Sequence, residues 1–256
     1  MIKIGCSGIG GVKEAEDNIK YFVDNGLNIA EIAFTYGVYL KKPDAIRIGK
    51  FAKANNFELS IHASYFINLN SNDEKKIEAS KKRILKACER GNDLGVIYIV
   101  FHAAFYLKTT KEECYQQVKK EIIELLAEIK KNKWKVKLAP ETTGKGSQFG
   151  DLDELLRLSK ETGCHLTVDF AHIRARNNGK LDYDEVMPKL QKFKKHIHSH
   201  FSGIEYTEKG ERRHLLMTDK EIKELLASVK KHKLDITIIS ESPDPSGDAM
   251  RMTKLL

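Results

Sequence analysis

Eight short apolar, β-branched runs recur along this chain at the spacing of alternating strands and helices, and that rhythm limits the fold more than any other feature. The runs are IKIGCS (2–7), IAEIAF (29–34), FELSIHA (57–63), VIYIVFHA (96–103), KVKLAPE (135–141), CHLTVDFAH (164–172), HIHSHFS (196–202) and ITIISES (236–242). Between them lie amphipathic stretches such as EDNIKYFVDNG, CYQQVKKEIIELLAEIKK and DKEIKELLASVKKH, with the period of surface helices. Gly26 and Gly163 stand where such helices would end. Eight βα units in 256 residues predict an α/β fold, a single (β/α)8 TIM barrel over residues 1–256, with working residues at the C-terminal ends of its strands. The tail SPDPSGDAMRMTKLL leaves room for only a brief closing helix.

Composition narrows the setting. No apolar run approaches the roughly 18 residues of a membrane span, so a soluble protein with no membrane partner is expected. Cys6, Cys88, Cys114 and Cys164 are widely spaced with no CxxC pair and no secretory leader before them, which predicts a reduced, cytoplasmic protein. Lys and Arg number 44 against 36 Asp and Glu, and the net charge of +8 suits an anionic partner such as nucleic acid. The lysine runs KKIEASKKR and EIKKNKWK fit solvated helix faces equally well. Nothing in the sequence implies an obligate protein partner. The start GCSGIGG is neither GxGxxG nor a Walker sequence, and reads as a tight βα turn.

The strand ends carry the chemistry. His62, His102, Glu141, Asp169 with His172, His198 with His200, and Glu241 all stand at or just beyond the C-terminal ends of the runs. Imidazoles and carboxylates gathered at one barrel mouth would repel or go unsatisfied unless divalent cations neutralised them. A metal centre is therefore expected there.

The motifs that surround these residues are HASYFINL, the FHA strand end, PETTGKGSQFG, VDFAH, HIHSHFSGIEY with a later RRH, and ESPDP. Together and in this order, over about residues 2–245, they resemble the endonuclease IV family, metal-dependent enzymes that cut DNA at abasic sites during base-excision repair. The resemblance implies two or three zinc ions per chain, with manganese or another divalent metal as an alternative. The first would be held by His62 and His102, with Glu141 bridging to a second held also by Asp169, His198 and Glu241. A third would use His172 and His214. Glu141 and Glu241 would also orient the nucleophile. The implied reaction is hydrolysis of the phosphodiester 5′ of an abasic sugar, giving a 3′-hydroxyl and a 5′-deoxyribose phosphate, with removal of 3′ blocking groups as a further activity. The implied partner is double-stranded DNA carrying abasic sites or blocked 3′ ends.

One position departs from the family pattern. Where those enzymes carry Asp two residues before the last histidine, this chain reads Arg212-Arg213-His214, and a guanidinium cannot ligate a cation. Either Glu211 reaches in from one position earlier, or His200, on the same strand face as His198, contributes; Glu211 is preferred. Tyr65 and Asn68 match positions near the bound phosphate and sugar. Tyr36, with Phe34 and Tyr39 beside it, stands where such enzymes insert side chains into the DNA stack. Lys145, Arg174, Arg176, Arg212 and Arg213 are candidate phosphate contacts. Two other readings stay open. A xylose-isomerase-like sugar isomerase or epimerase would need only Glu141, Asp169, His198 and Glu241 around one ion. A non-catalytic relative would bind abasic DNA without cutting it.

Overall fold

The apolar runs become strands because their β-branched residues pack well on a pleated surface, and the intervening stretches coil to bury one stripe against it. The computed structural model describes residues 1–256. Four βα units open the chain: β1 (Ile2–Ser7) and α1 (Ala15–Asp24), β2 (Ile29–Ala33) and α2 (Lys42–Ala54), β3 (Glu58–His62) and α3 (Glu74–Leu94), then β4 (Tyr98–Phe101), a short β5 (Ala104–Phe105) and α4 (Lys111–Lys131). The second half adds β6 (Lys137–Pro140), a short β7 (Gln148–Phe149), α5 (Leu152–Thr162), β8 (Thr167–Asp169), α6 (Phe170–Arg176) and α7 (Tyr183–Phe193). It ends with β9 (Ile197–Phe201), β10 (Gly203–Thr207), β11 (Gly210–Leu215), α8 (Asp219–Lys231), β12 (Ile236–Ser240) and α9 (Pro245–Leu255).

Eight parallel strands form one sheet in the order β6-β4-β3-β2-β1-β12-β9-β8. A bridge between Glu141 and Thr167 joins its two edges, so the fold is the expected TIM barrel. One cluster of 62 buried apolar residues fuses the strands to the surrounding helices, which makes the barrel wall a stiff platform for its rim. The brief closing helix is α9. No helix is long and apolar enough to cross a membrane. The four cysteines are free and buried.

Local chemistry fixes the helix starts. Thr110, Asp151 and Thr218 each form a capping box with a glutamate three residues on, a device worth about 1 kcal/mol per helix. The run CHLTVDFAH is cut short for the same reason. Its strand stops at Asp169, whose Oδ1 accepts the His172 N–H at 2.7 Å, so Phe170 begins α6 rather than extending β8. That cap brings Asp169 and His172 to the same rim.

Register sets depth inside the barrel. Asp169 pairs with His200 and Thr167 with His198, so the two β9 histidines face the same interior at two levels, His200 nearer the mouth. Outside the ring, β10 and β11 form an antiparallel hairpin whose register slips by one residue, leaving Arg212 unpaired between Glu211 and Arg213.

Candidate metal centre

Of four groups of potential ligands, three meet at the barrel mouth: His62, His102 and Glu141; Glu141, Asp169, His200 and Glu241; and His172, Glu211 and His214; the fourth, Glu31, His198 and His200, reaches one level deeper. Within each group the candidate ligand atoms lie within 4.8 Å of one another. The imidazoles form a continuous arc, with ring centroids 5.6 Å apart for His62 and His102, 5.4 Å for His102 and His172, and 5.5 Å for His172 and His214.

Glu141 is the hub. It follows β6, is 1% exposed, and divides its two oxygens between neighbouring groups. Oε2 lies 3.0 Å from His62 Nε2 and 3.1 Å from His102 Nε2, while Oε1 lies 3.0 Å from His200 Nδ1 and 3.3 Å from His172 Nδ1. Burial alone would raise its carboxyl pKa, but the imidazoles, His200 and His102 foremost, hold it well below the usual carboxylate range. Burial likewise opposes the charged form of His62, yet Glu141 and the other carboxylates lift that imidazole to about 9. His172 and His200 are raised well above the ordinary value against the same burial, chiefly by Asp169 and Glu241 respectively.

The donor set fits divalent metals. Asp169 Oδ2 is buried with no hydrogen-bond partner, as expected of an oxygen reserved for a cation. Nitrogen and carboxylate donors without thiolate suit zinc, manganese or iron. Outer contacts orient several rings: His62 Nδ1 lies 2.8 Å from the Ala63 carbonyl, His172 Nδ1 3.0 Å from the Thr142 carbonyl, and His214 Nδ1 2.9 Å from Ser202 Oγ. An Nδ1–H donated to each oxygen leaves Nε2 as the free lone pair.

The structure departs from the sequence expectation at one position. His200, not His198, joins Glu141, Asp169 and Glu241. The two histidines share a face parity, but His198 sits one level lower, with Nε2 2.8 Å from Glu31 Oε2. Beside His172 and His214 stands not His200 but Glu211, as preferred from the sequence. Its Oε2 lies 3.4 Å from His172 Nε2 and its Oε1 3.9 Å from His214 Nε2.

The slipped register explains how Glu211 gets there. Residues three apart on a regular strand face opposite sides, so Glu211 and His214 could not both point inward. The unpaired Arg212 resets the alternation, leaving Glu211 and His214 half-buried while Arg212 and Arg213 both face solvent. Both arginines pair with Glu205 on the facing strand, at 2.6 Å and 2.5 Å. Gly144 and Gly210 permit the hairpin to dock. A Cβ on Gly144 would sit 2.6 Å from Glu211 Cβ, and Gly210 adopts φ of +97° against the Gly144 carbonyl.

The candidate DNA contacts separate into free and committed side chains. Tyr36 is 84% exposed, 6.3 Å from the exposed Phe66, and Tyr65 is 62% exposed beside His62. Phe34, by contrast, is core at 1% exposure with Tyr39 packed edge-on against it, because the strand end turns it inward. Asn68 Oδ1 is engaged by the Asn70 and Phe105 N–H groups, which makes it a loop organiser. Arg174 is paired with Glu221. Arg176 grips the glycine-rich loop, donating to Thr143 Oγ1 at 3.0 Å and to the carbonyls of Lys145 and Gln148 at 2.6 and 2.9 Å. Lys145 is exposed on that loop.

Glu31 escaped the sequence reading. It is 0% exposed, and its signal was a lone acid inside the apolar run IAEIAF.

The family model described as a xylose isomerase-like TIM barrel matches residues 19–254. The chain is 38% identical over 268 residues to an uncharacterized protein of Methanocaldococcus jannaschii, covering 99% of this chain and 96% of that one. A probable endonuclease 4 of Chlorobium phaeovibrioides is 32% identical over 101 residues, which span 38% of this chain and 34% of that protein. Among solved structures, SacUVDE superposes with a TM-score of 0.76 at 18% identity, over 96% of this chain and 86% of its own. Endonuclease IV of Thermus thermophilus gives 0.72 at 21% identity, over 99% and 97%. A D-psicose 3-epimerase gives 0.68 at 15% identity, over 93% and 91%. At these identities the superpositions establish a common barrel fold.

Proposed function

The chain belongs to the xylose isomerase-like TIM barrel family, and from that footing we propose that it is a metal-dependent phosphodiesterase acting on damaged double-stranded DNA. It hydrolyses the bond 5′ of an abasic sugar, leaving a 3′-hydroxyl and a 5′-deoxyribose phosphate, and it also clears blocked 3′ ends. One observation carries this reading: two further ligand groups, His62–His102 and His172–Glu211–His214, flank the Glu141–Asp169–His200–Glu241 set. A one-metal sugar epimerase would need only the latter set and would leave five buried or half-buried ligand-type residues without work. The relative called a probable endonuclease 4 supports the same direction.

Three divalent ions, zinc or a similar metal, would be held by the three groups, with Glu141 shared by the first two. When bound, they supply charge neutralisation at a phosphate and lower the pKa of water. The protein does the rest. Glu141, locked between imidazoles on both sides, would serve the first two groups at once, and Glu241, 19% exposed, is the carboxylate on the solvent side able to orient a water. Tyr36, Tyr65 and Phe66 present flat apolar faces at the rim for bases left unstacked beside a lesion. Lys145, exposed on the glycine-rich loop, offers charge to the DNA backbone. Four free, buried cysteines suit the reducing cytoplasm as its compartment.

The test is a duplex carrying one tetrahydrofuran abasic analogue, with metal content measured on the same protein. Cleavage 5′ of the analogue, abolished in Glu141→Gln together with a fall in bound metal, supports the proposal. Ketose epimerisation with a single ion overturns it, and tight binding without cleavage makes the chain a non-catalytic relative.

A further inference from the structure

Beneath the mouth lies a carboxylate that the proposed reaction does not use. Glu31, on β2, is fully buried among Ser60, His198 and His200. Its Oε2 accepts from Ser60 Oγ at 2.7 Å and lies 2.8 Å from His198 Nε2, while Oε1 lies 2.8 Å from His200 Nε2. A buried carboxylate is costly unless paired and hydrogen-bonded, so this placement demands an account.

The account comes from the orientation of the rings. His62, His172 and His214 are tied at Nδ1 to a carbonyl or hydroxyl and turn Nε2 to the cluster. His200 is reversed. Its Nδ1 faces Glu141 Oε1 at 3.0 Å and Glu241 Oε2 at 3.5 Å, and its Nε2 points down at Glu31. The Nε2–Oε1 approach is off the N–H axis, so the negative oxygen constrains the ring by charge rather than by an aligned hydrogen bond. A carboxylate there favours a proton on Nε2 and leaves the Nδ1 lone pair to the mouth. The other oxygen takes up His198 Nε2.

Resting on the metal-centre reading, we propose that Glu31 is a positioning residue for the second ion: it holds His200 with Nε2 protonated and Nδ1 presented, and it keeps His198 out of the ligand set. The β9 histidines thus have different trades. His200 is a ligand, and His198 a brace.

Zinc titration against a chromophoric chelator, with folding followed by circular dichroism, tests this in wild type and in Glu31→Gln. The expected result is a folded variant in which one zinc binds about 10- to 100-fold more weakly and the others are unchanged, with partial recovery in Glu31→Asp. Wild-type affinities at every site in Glu31→Gln would overturn the proposal. So would a fourth zinc equivalent lost with the variant, since Glu31 would then be a ligand itself. Should Glu31→Gln fail to fold, long-range proton–nitrogen spectra of zinc-loaded wild type decide: protonation of His200 at Nε2 supports the role, and at Nδ1 refutes it. Wild type that binds zinc but leaves abasic DNA intact would sink the phosphodiesterase while this inference stands on the titration. Wild type that binds no zinc overturns both.

Discussion

Arg176→Ala separates a loop clamp from a phosphate contact. The two N–H groups of Nη1 are shared among three oxygens of the glycine-rich loop, Thr143 Oγ1 and the carbonyls of Lys145 and Gln148, and Nη2 lies 3.2 Å from Tyr106 OH, itself bound to Glu154. Hydrogen bonds to a charged donor contribute about 1.5–3 kcal/mol each, but those of one guanidinium are not additive and the acceptors regain water when it is removed. A loss of about 2–4 kcal/mol follows, which for a domain of this size lowers Tm by roughly 4–16 °C. The loop also carries Gly144, against which the Glu211 backbone N–H bonds at 3.0 Å, so the hairpin loosens with it. Thermal unfolding and abasic-duplex binding across a salt series make the measurement. A clamp predicts the fall in Tm with an unchanged slope of log affinity against log salt. An unaltered Tm with a slope smaller by about 0.9 would refute the argument and return Arg176 to the DNA.

Three other outcomes follow from the same geometry. Deleting Arg212 restores regular alternation and leaves Glu211 and His214 two apart on one face, so metal content by mass spectrometry stays at the wild-type value, whereas exchanging residues 211 and 212 turns the carboxylate outward and removes one equivalent; retention of full metal after the exchange would count against the bulge. Because His62 is lifted to about 9, and His172 and His200 stand well above the ordinary value, zinc loading at pH 7 must expel protons, and calorimetry in buffers of differing ionisation enthalpy should show net release rather than none. His165, 4% exposed, is held down to about 4 by burial, so the unfolded chain binds its proton first as pH falls. Stability from this group is complete above about 6.5 and is lost down to about 4, on the order of 3 kcal/mol. His165→Asn in chelator should flatten that part of the acid-unfolding curve relative to wild type; parallel curves would contradict the assignment.

Period and composition were enough for the barrel, since eight apolar runs bounded by capped helices admit few other closures. Placement was legible wherever a candidate ligand ends a strand: His62, His102, Glu141, Asp169 and Glu241 are brought together at the mouth because a strand end has one direction. Depth was not legible. His198 and His200 have the same parity, and only the pairing of Asp169 with His200 says which reaches the rim. Commitment was also hidden. Arg174 and Arg176 lie at the right end of the barrel, but their partners, Glu221 and the residue 143–148 loop, are distant in sequence. Arg212 was visible as a departure from the endonuclease IV triplet, while the slip in register that turns Glu211 toward His172 and His214 arises from pairing with β10. Glu31 could have been flagged from its apolar neighbours, since a lone acid in a barrel strand is rarely idle.

The extra residue at Arg212 lies in a ribbon appended to the ring, and there a change in chain length is absorbed by local twist. The same insertion within a barrel strand would reverse every side chain beyond it, trading core for solvent. A candidate donor borne on the ribbon can therefore shift by one position without re-registering the eight strands. Candidate donors on the ring strands are tied to the register of the barrel, whereas those on the ribbon are not.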